Sequence, residues 1–155
     1  MKLSELIAHQ HVLLPLRAHD KWDAIGQLAR RAVLAGQIPD RVAGTIEPAL
    51  LTRERSMTTG LEHGIAIPHA AVDGIDDLVA VLGVAVDGVP FDALDRQPAQ
   101  ILVCLVIPRA KKLQYIKTLA EIARLLRRPE VRTRLLQCDS ADAVVACLRD
   151  VDNCR

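Results

Sequence analysis

The sequence predicts one α/β domain over residues 1–155, built as a mixed β-sheet with helices on both faces. Apolar runs at 78–86 and 100–107 are typical of strands that are buried on two faces. Segments with helical spacing of apolar residues lie before, between and after these runs. Half of the residues are hydrophobic, which is enough for one sizeable core at this chain length.

Two helices and a short strand are predicted in the first part of the chain. Apolar spacing predicts a short helix around residues 3–7, and the run 11–16 predicts a strand that a proline closes. A longer helix is expected to be capped by Asp20 and to stop at Gly36. We interpret Trp22 as a core anchor at the start of that helix.

The next predicted helix leads towards the candidate site. Asp40 is its expected cap, and Pro48 in its middle predicts a kink or a break. Arg53 and Glu54 follow near its end. Glu54 is ambiguous, because it can orient Arg53 or simply face water, and we assign it no chemistry.

The second apolar run ends in a basic connection, 108–112, which leads into a predicted helix over 113–126. Tyr115 lies in the first turn of that helix. The apolar positions expected to face the core are Leu113, Ile116, Leu119, Ile122 and Leu126. Two further helices are predicted, one starting at Pro129 and one capped by Ser140.

A glycine-bounded loop runs into the short apolar segment that ends at His69. Pro68 fixes its own φ and favours an extended conformation before it, so the imidazole is held by a stiff strand end. A neutral histidine near its ordinary pKa of about 6.5 can attack phosphorus with one ring nitrogen while the other donates a hydrogen bond. A lone Pro-His pair is also compatible with a strand that merely ends at the surface.

Residues just before this histidine suit phosphate binding. Gly60 and Gly64 allow backbone N–H groups to approach phosphate oxygens, and the hydroxyls of Thr58 and Thr59 are candidate donors. His63, beside Gly64, is a further candidate neighbour of the phosphate. Together these residues favour phosphoryl transfer at the end of the strand.

The segment Gly64–His69 resembles the fructose/mannitol/nitrogen-type enzyme IIA domain of the bacterial phosphotransferase system, with Arg53-Glu54 upstream and residues 56–58 between. The resemblance covers nearly the whole chain. It implies that His69 takes a phosphoryl group from the phosphocarrier protein HPr or its nitrogen paralogue. It also implies that Arg53 helps to bind the phosphate, since a guanidinium can hold two oxygens at once.

One residue departs from the pattern of this family. Members usually carry a second active-site histidine, followed by leucine, at the start of a late helix, and Tyr115 stands at that place here. A phenol can donate a hydrogen bond to a phosphate oxygen but does not carry the charge of an imidazolium. Phosphate acceptance is therefore expected, whereas fast delivery to a sugar-permease partner is in doubt.

Charge and composition exclude several other functions. Twenty basic and nineteen acidic residues give a net charge of +1, so no global field favours nucleic acid or a membrane surface. Only three aromatic residues are present, which leaves little for base stacking. No stretch approaches the roughly 20 apolar residues that span a bilayer, and we expect a cytoplasmic protein without direct membrane insertion.

The four cysteines do not form the framework of a small secreted domain. Cys104 lies in an apolar run and is expected to be buried. A zinc site that combines His63, His69 and cysteines matches no ligand spacing, and neither a metal nor a cofactor is expected.

Three functions remain for this sequence. The leading one is a phosphoryl carrier that passes the group from His69 to a IIB component or uses it as a signal. The second is a regulatory binding module of nitrogen type, favoured by Tyr115 and by the lack of a fused IIB or IIC segment in these residues. The third, a degenerate domain that takes no phosphate, is disfavoured by the intact Ile-Pro-His segment and Arg53. The basic run 109–112 is either a solvated loop or a contact for an incoming phosphoprotein.

Overall fold

A computed structural model describes residues 2–153, and Cys154 lies outside this range. Helices lie before, between and after the strands along the chain, as the apolar pattern predicts. The helices are α1 (Leu3–Leu6), α2 (Lys21–Ala35), α3 (Asp40–Ser56), α4 (Lys112–Leu126), α5 (Pro129–Gln137) and α6 (Ala141–Asn153). The strands are β1 (Val12–Leu13), β2 (Ile65–Ala66), β3 (His69–Val72), β4 (Val79–Val89) and β5 (Ala99–Pro108), and short 3-10 turns occupy His9–His11 and Arg109–Lys111.

The sheet is mixed, as predicted. Strands β4 and β5 are antiparallel neighbours at its centre, and β1 lies parallel to β4 on one side. Strands β2 and β3 pair in turn with successive parts of β5, both in parallel. The Pro68 carbonyl between them accepts a hydrogen bond from the Leu105 N–H at 2.9 Å, so His69 begins a strand on a continuous edge.

Helices cover both faces of this sheet, which confirms the predicted fold class. Apolar side chains of β4 and β5 alternate between two clusters. One cluster, with Leu82 and Val103, packs against α4, α5 and α6, and the other, with Val81 and Leu102, packs against α2 and α3. Cys104 is buried in the second cluster as expected, and burial raises the pKa of its thiol to about 12.

The first predicted strand is shorter than expected. Only Val12 and Leu13 pair with β4, and His11 belongs to the preceding 3-10 turn. Pro15 lacks the N–H that would continue the ladder, so pairing stops before it. The chain returns to the sheet once, where the Leu16 N–H donates to the Val84 carbonyl at 2.8 Å.

Helix α2 has the predicted cap, since the Asp20 carboxylate accepts a hydrogen bond from the Asp23 N–H at 2.8 Å. The prediction that Trp22 anchors the core is wrong, because its side chain is 40% exposed. At 100° per residue Trp22 falls at the edge of the buried stripe. Its ring is instead covered by cations, with Lys21 Nζ at 5.2 Å and Arg55 Cζ at 6.0 Å from the centroid.

Helix α3 runs without a break from Asp40 to Ser56, so the predicted break at Pro48 is wrong. Ile46 and Leu50, on either side of the proline, are both fully buried against the sheet. Their packing stabilises the helix across the lost hydrogen bond.

Helix α4 buries part of the predicted face: Ile122 and Leu126 lie in the core as expected, whereas Leu113 and Ile116 do not. Its buried stripe comprises Tyr115, Thr118, Ile122 and Leu126. Leu113 and Ile116 are 85% and 51% exposed, because at 100° per residue they lie well away from that stripe. Among residues 2–153, none of the helices has the length and apolar content needed to cross a membrane.

Candidate functional site

His69 is half-buried at the start of β3 and its ring is oriented by the backbone. Its Nδ1 lies 2.8 Å from the Ile67 carbonyl oxygen. A carbonyl only accepts hydrogen bonds, so Nδ1 carries the proton and donates it. In the neutral ring Nε2 then keeps its lone pair, which makes Nε2 the nucleophilic atom.

The surroundings of His69 favour the neutral ring. Burial lowers its pKa most, the hydrogen bond to Ile67 raises it, and the positive charges of Arg53 and Lys112 lower it. The negative charge of Glu54 acts in the opposite direction, and the net result is a pKa below the ordinary 6.5. At neutral pH the ring is therefore available as a nucleophile.

The segment that precedes the active strand folds back beside it as a tight antiparallel pair. The Ile67 N–H donates to the Thr59 carbonyl at 3.2 Å, and the Leu61 N–H donates to the Ile65 carbonyl at 2.8 Å. Continuing this register brings Met57 opposite His69. The end of helix α3 is thereby placed beside the imidazole.

Arg53 lies in the last turn of α3, which packs on β3. Its Nη1 donates to the Met57 carbonyl at 2.9 Å. A guanidinium has five N–H donors, and this bond uses one of them. The remaining donors can bind phosphate oxygens near His69, because the charge of Arg53 already acts on that ring.

Glu54 is a buried charged residue beside the candidate site, and its partners were not expected from the sequence. It is 3% exposed, and its carboxylate accepts hydrogen bonds from the Thr59 N–H at 2.8 Å, the Thr59 hydroxyl at 2.6 Å and Lys21 Nζ at 3.2 Å. From the sequence, Glu54 either orients Arg53 or faces water, and its 3% exposure excludes the second alternative. The decisive partner, Lys21, lies on another helix and leaves no local signal in the sequence.

Thr58 and Thr59 are close to His69, but their hydroxyl protons are donated within the protein. The Thr58 hydroxyl donates to the Phe91 carbonyl at 2.7 Å and accepts from the Gly60 N–H at 3.2 Å. The Thr59 hydroxyl donates to Glu54. In this structure both threonines hold the loop in place, so neither offers its hydroxyl proton to a phosphate.

Gly64 and His63 lie at the tip of the turn, away from the His69 end of the pair. Gly64 has φ +75° and its carbonyl accepts from the N–H groups of Gln100 and Ile101, which ties β2 to β5. His63 has φ +68°, and its N–H donates to Asp95 at 2.9 Å. Both residues shape the turn, and the His63 side chain is exposed at its tip.

Tyr115 lies in the first turn of α4, as predicted, and is buried in the apolar cluster that also holds Ile67. Lys112 lies one turn earlier, and its charge acts on His69. Arg109 is bound to Asp73 and to the Ala71 carbonyl, while Lys111 donates to the Asp76 carbonyl. Arg109 and Lys111, two cations of the predicted basic run, therefore bind the end of β3 and the segment that follows it.

Metal ligands do not converge within residues 2–153, where no group of three or more His, Cys, Asp or Glu side chains could hold an ion. His63 and His69 are separated by the length of the turn. Cys104 is buried behind the sheet, and Cys138 and Cys147 belong to the α5–α6 side.

Known proteins share this sequence pattern over most of its length. The fructose-specific EIIABC component of Bacillus subtilis is 30% identical over 98% of this chain, which spans only 24% of that protein. The fructose-specific EIIA component of Haloferax volcanii is 36% identical, with 84% of each chain covered. A nitrogen regulatory protein of Pseudomonas aeruginosa is 31% identical over 99% of this chain and 98% of its own.

Solved structures share the fold. The nitrogen regulatory protein IIA-Ntr of Neisseria meningitidis superposes with a TM-score of 0.84 at 23% identity, covering 94% of this chain and 98% of its own. The mannitol enzyme IIA of Escherichia coli, in its complex with phosphorylated enzyme IIB, superposes with a TM-score of 0.72 at 22% identity, covering 93% and 97%. The family described as "Phosphoenolpyruvate-dependent sugar phosphotransferase system, EIIA 2" matches residues 5–151, and the chain therefore belongs to that family.

Proposed function

We propose that His69 accepts a phosphoryl group on Nε2 from the phosphohistidine of an HPr-like phosphocarrier. The observation that carries this proposal is the 2.8 Å hydrogen bond from Nδ1–H to the Ile67 carbonyl, which leaves the Nε2 lone pair free. The group then moves to a IIB protein or remains as a signal for a regulatory target. No nucleic acid takes part.

Phosphoryl transfer to His69 does not require a proton to be removed from its ring before the attack. Nε2 forms a bond to phosphorus while the donor's P–N bond breaks, and the donor imidazole leaves with that electron pair. Nδ1 keeps its proton, so the His69 ring becomes an imidazolium that bears the anionic phosphoryl group, while the donor ring, protonated on its other nitrogen, leaves as a neutral imidazole. The hydrogen bond to Ile67 strengthens as this charge develops, because charge-assisted hydrogen bonds are the stronger ones.

Arg53 is the proposed partner of the phosphate oxygens. Its charge lowers the pKa of His69 before transfer and attracts the negatively charged phosphoryl oxygens during transfer. Lys112, at the start of α4, adds a second positive charge that acts on His69. Both cations favour the transferred group, and this scheme uses no metal or cofactor.

The surface around His69 suits a protein donor. Met57, after the end of α3, is 68% exposed, and Leu113 and Ile116, at the start of α4, are 85% and 51% exposed. Met and Arg are enriched in protein–protein interfaces, and the buried centre of an interface is more apolar than its rim. We therefore propose docking of the phosphocarrier over His69 through both sides.

A regulatory role is the second candidate, and Tyr115 is the observation that favours it. The buried phenol cannot supply an imidazolium beside the bound phosphate. In this case the phosphoryl group stays longer on His69 and controls attachment of a partner protein. The similar proteins include both fructose-specific and nitrogen regulatory ones, which supports either outcome.

We also propose that residues 1–155 form one domain that works in the cytoplasm. Both helical layers pack on one sheet, and the family match spans residues 5–151. The three described cysteines are free thiols, which suits a reducing compartment.

The proposal is tested by incubating the chain with enzyme I, HPr and labelled phosphoenolpyruvate. One acid-labile, base-stable label per chain is expected in the parent, and none in His69→Ala. His63→Ala is the matched control and should label like the parent. Retention of label in His69→Ala, or an unlabelled parent with both HPr and the nitrogen paralogue, would contradict the assignment. Adding a fructose- or mannitol-type IIB then separates delivery from retention.

A further inference from the structure

A buried ion pair connects α2 to the end of α3 directly behind the candidate site. Lys21 is 7% exposed and Glu54 is 3% exposed, with Nζ and Oε2 3.2 Å apart. Burying two charges costs several kcal/mol per ion, so such a pair is weak evidence for stability alone. Its place in the structure indicates another role.

The Glu54 carboxylate is fully used by groups that belong to the site. It accepts two bonds from Thr59, through the N–H and the hydroxyl, and one from Lys21. Thr59 pairs with Ile67, whose carbonyl orients the His69 ring. Glu54 is thus linked to the nucleophile through two intermediate residues, Thr59 and Ile67, and is adjacent in sequence to Arg53.

Lys21 extends the network to a second loop. Its ammonium lies 3.0 Å from the Asp92 carboxylate and 5.6 Å from the centre of the Phe91 ring. The Phe91 carbonyl accepts from the Thr58 hydroxyl. Gly60 permits this close approach, since a Cβ there would lie 2.7 Å from the Phe91 oxygen. The segment that holds Thr58 and the loop that holds Phe91 and Asp92 are therefore connected to each other.

We propose that Lys21 and Glu54 are positioning residues for the phosphoryl site, holding the 57–59 segment and the Arg53 turn in register with His69. This inference rests on the proposed function and adds two residues that do not contact the phosphate. Glutamine replaces Glu54 only in part, because its NH₂ group can donate to the Thr59 hydroxyl but its single neutral carbonyl oxygen would have to accept from both the Thr59 N–H and the Lys21 ammonium. The buried Lys21 charge would then lose its counter-charge on α3, and the hold on the Arg53 turn and on Thr59 would weaken.

Glu54 also acts on His69 through its charge. The carboxylate raises the pKa of His69, against the opposing effects of Arg53 and Lys112. Lys21 and Asp92 are the other charged groups that meet this network. Removing the Glu54 charge should therefore lower the pKa of His69 further, which a purely structural contact would not do.

The test compares Glu54→Gln, Lys21→Met and the double variant with the parent. Arg30→Met and Glu47→Gln are matched controls, because the exposed Arg30–Glu47 pair at 3.1 Å also joins α2 to α3 but lies away from the site. Three quantities are measured: kcat and KM for phosphoryl uptake from phospho-HPr, the His69 titration midpoint by NMR, and hydrogen exchange at the Thr59 amide.

We expect Glu54→Gln to lower kcat by about ten- to a hundred-fold with little change in KM, since a slight misplacement of a positioned group has effects of that size. The His69 midpoint should fall and the Thr59 amide should exchange faster. The controls should match the parent in all three readouts. A folded Glu54→Gln with parental kcat and parental His69 midpoint would overturn the inference.

The double variant separates positioning from stability. It leaves no unpaired buried charge, so it should fold even where a single variant does not. A low kcat in the folded double variant supports positioning, whereas a parental kcat would show that the pair serves only the fold. If the parent itself takes no phosphate, the proposed function fails, and the His69 midpoint and Thr59 exchange still decide whether the pair orders the site.

Discussion

The side chains on the α3 side of His69 are mainly polar, whereas those on the α4 side are mainly apolar. On the α3 side, polar groups are bonded to one another: Arg53 to the Met57 carbonyl and Glu54 to Thr59 and Lys21. On the α4 side, Tyr115 packs among apolar side chains, and exposed apolar residues project to solvent. From this difference we propose that the α3 side binds the phosphoryl group, whereas the α4 side supports the fold and contacts partner proteins.

The two faces of α4 give the largest expected contrast. Ile122→Ala should lower the free energy of unfolding by about 2–5 kcal/mol, because it leaves a cavity in the core. Ile116→Ala should change it by no more than about 0.5 kcal/mol, since the side chain is half exposed. Denaturant unfolding of both variants measures the difference.

Ile116→Ala is expected to act on partner recognition instead. Its KM for phospho-HPr should rise, with kcat at saturation close to the parental value. Equal destabilisation by both substitutions, or an unchanged KM in Ile116→Ala, would remove the proposed division of α4 into a core face and a partner face.

Arg53→Lys probes the α3 side. A point charge on a flexible stem cannot reproduce the planar fork, and losing one charged hydrogen bond costs about 1.5–3 kcal/mol. We expect the variant to fold normally and to take up phosphoryl groups about ten- to a hundred-fold more slowly. Rapid-quench measurement of uptake decides this, and a Lys variant as fast as the parent would exclude Arg53 from the site.

The pH dependence of uptake follows from the direction of the His69 pKa. Burial, Arg53 and Lys112 lower that pKa below 6.5, so the nucleophilic neutral ring persists as the pH falls through 6.5. The uptake rate should stay constant from about pH 8 down past this value and decline only at lower pH. NMR titration of His69 should give a midpoint below 6.5, and Arg53→Met should raise it. A parental midpoint above 6.5 would contradict the account.

Tyr115→Phe is the smallest expected effect. The ring stays packed in the apolar cluster, and only the hydroxyl is removed. Uptake should change by less than about twofold, well short of the 1.5–3 kcal/mol expected from a lost charged hydrogen bond to the phosphate. A slower uptake of that larger size would show that the phenol contacts the phosphate, and would move part of the phosphate binding to the α4 side.

Local patterns in the sequence predict much of the fold. The apolar runs correspond to β4 and β5, and the Asp20 cap begins α2. Both depend on neighbouring residues, so both leave a readable pattern. The prediction that a strand ends at His69 is wrong, because β2 stops at Ala66 and His69 begins β3.

Other features depend on distant parts of the chain and escape sequence reasoning. Leu113 and Ile116 have good helical spacing, yet the direction in which α4 meets the sheet turns them outward. The Trp22 ring lies against the Lys21 ammonium, whereas the sequence predicts that it packs in the core. Lys21 and Glu54 are 33 residues apart, and only the packing of α2 on α3 brings their charges together.

The most direct test of the account is the identity of the phosphorylated atom. Chain with ¹⁵N-labelled histidine is phosphorylated with enzyme I, HPr and phosphoenolpyruvate, and its ring nitrogens are observed by ¹⁵N and ³¹P NMR. Because Nδ1–H is bound to the Ile67 carbonyl, phosphorus should couple to Nε2 of His69 while Nδ1 stays protonated. Coupling to Nδ1, or to another histidine, would contradict the account.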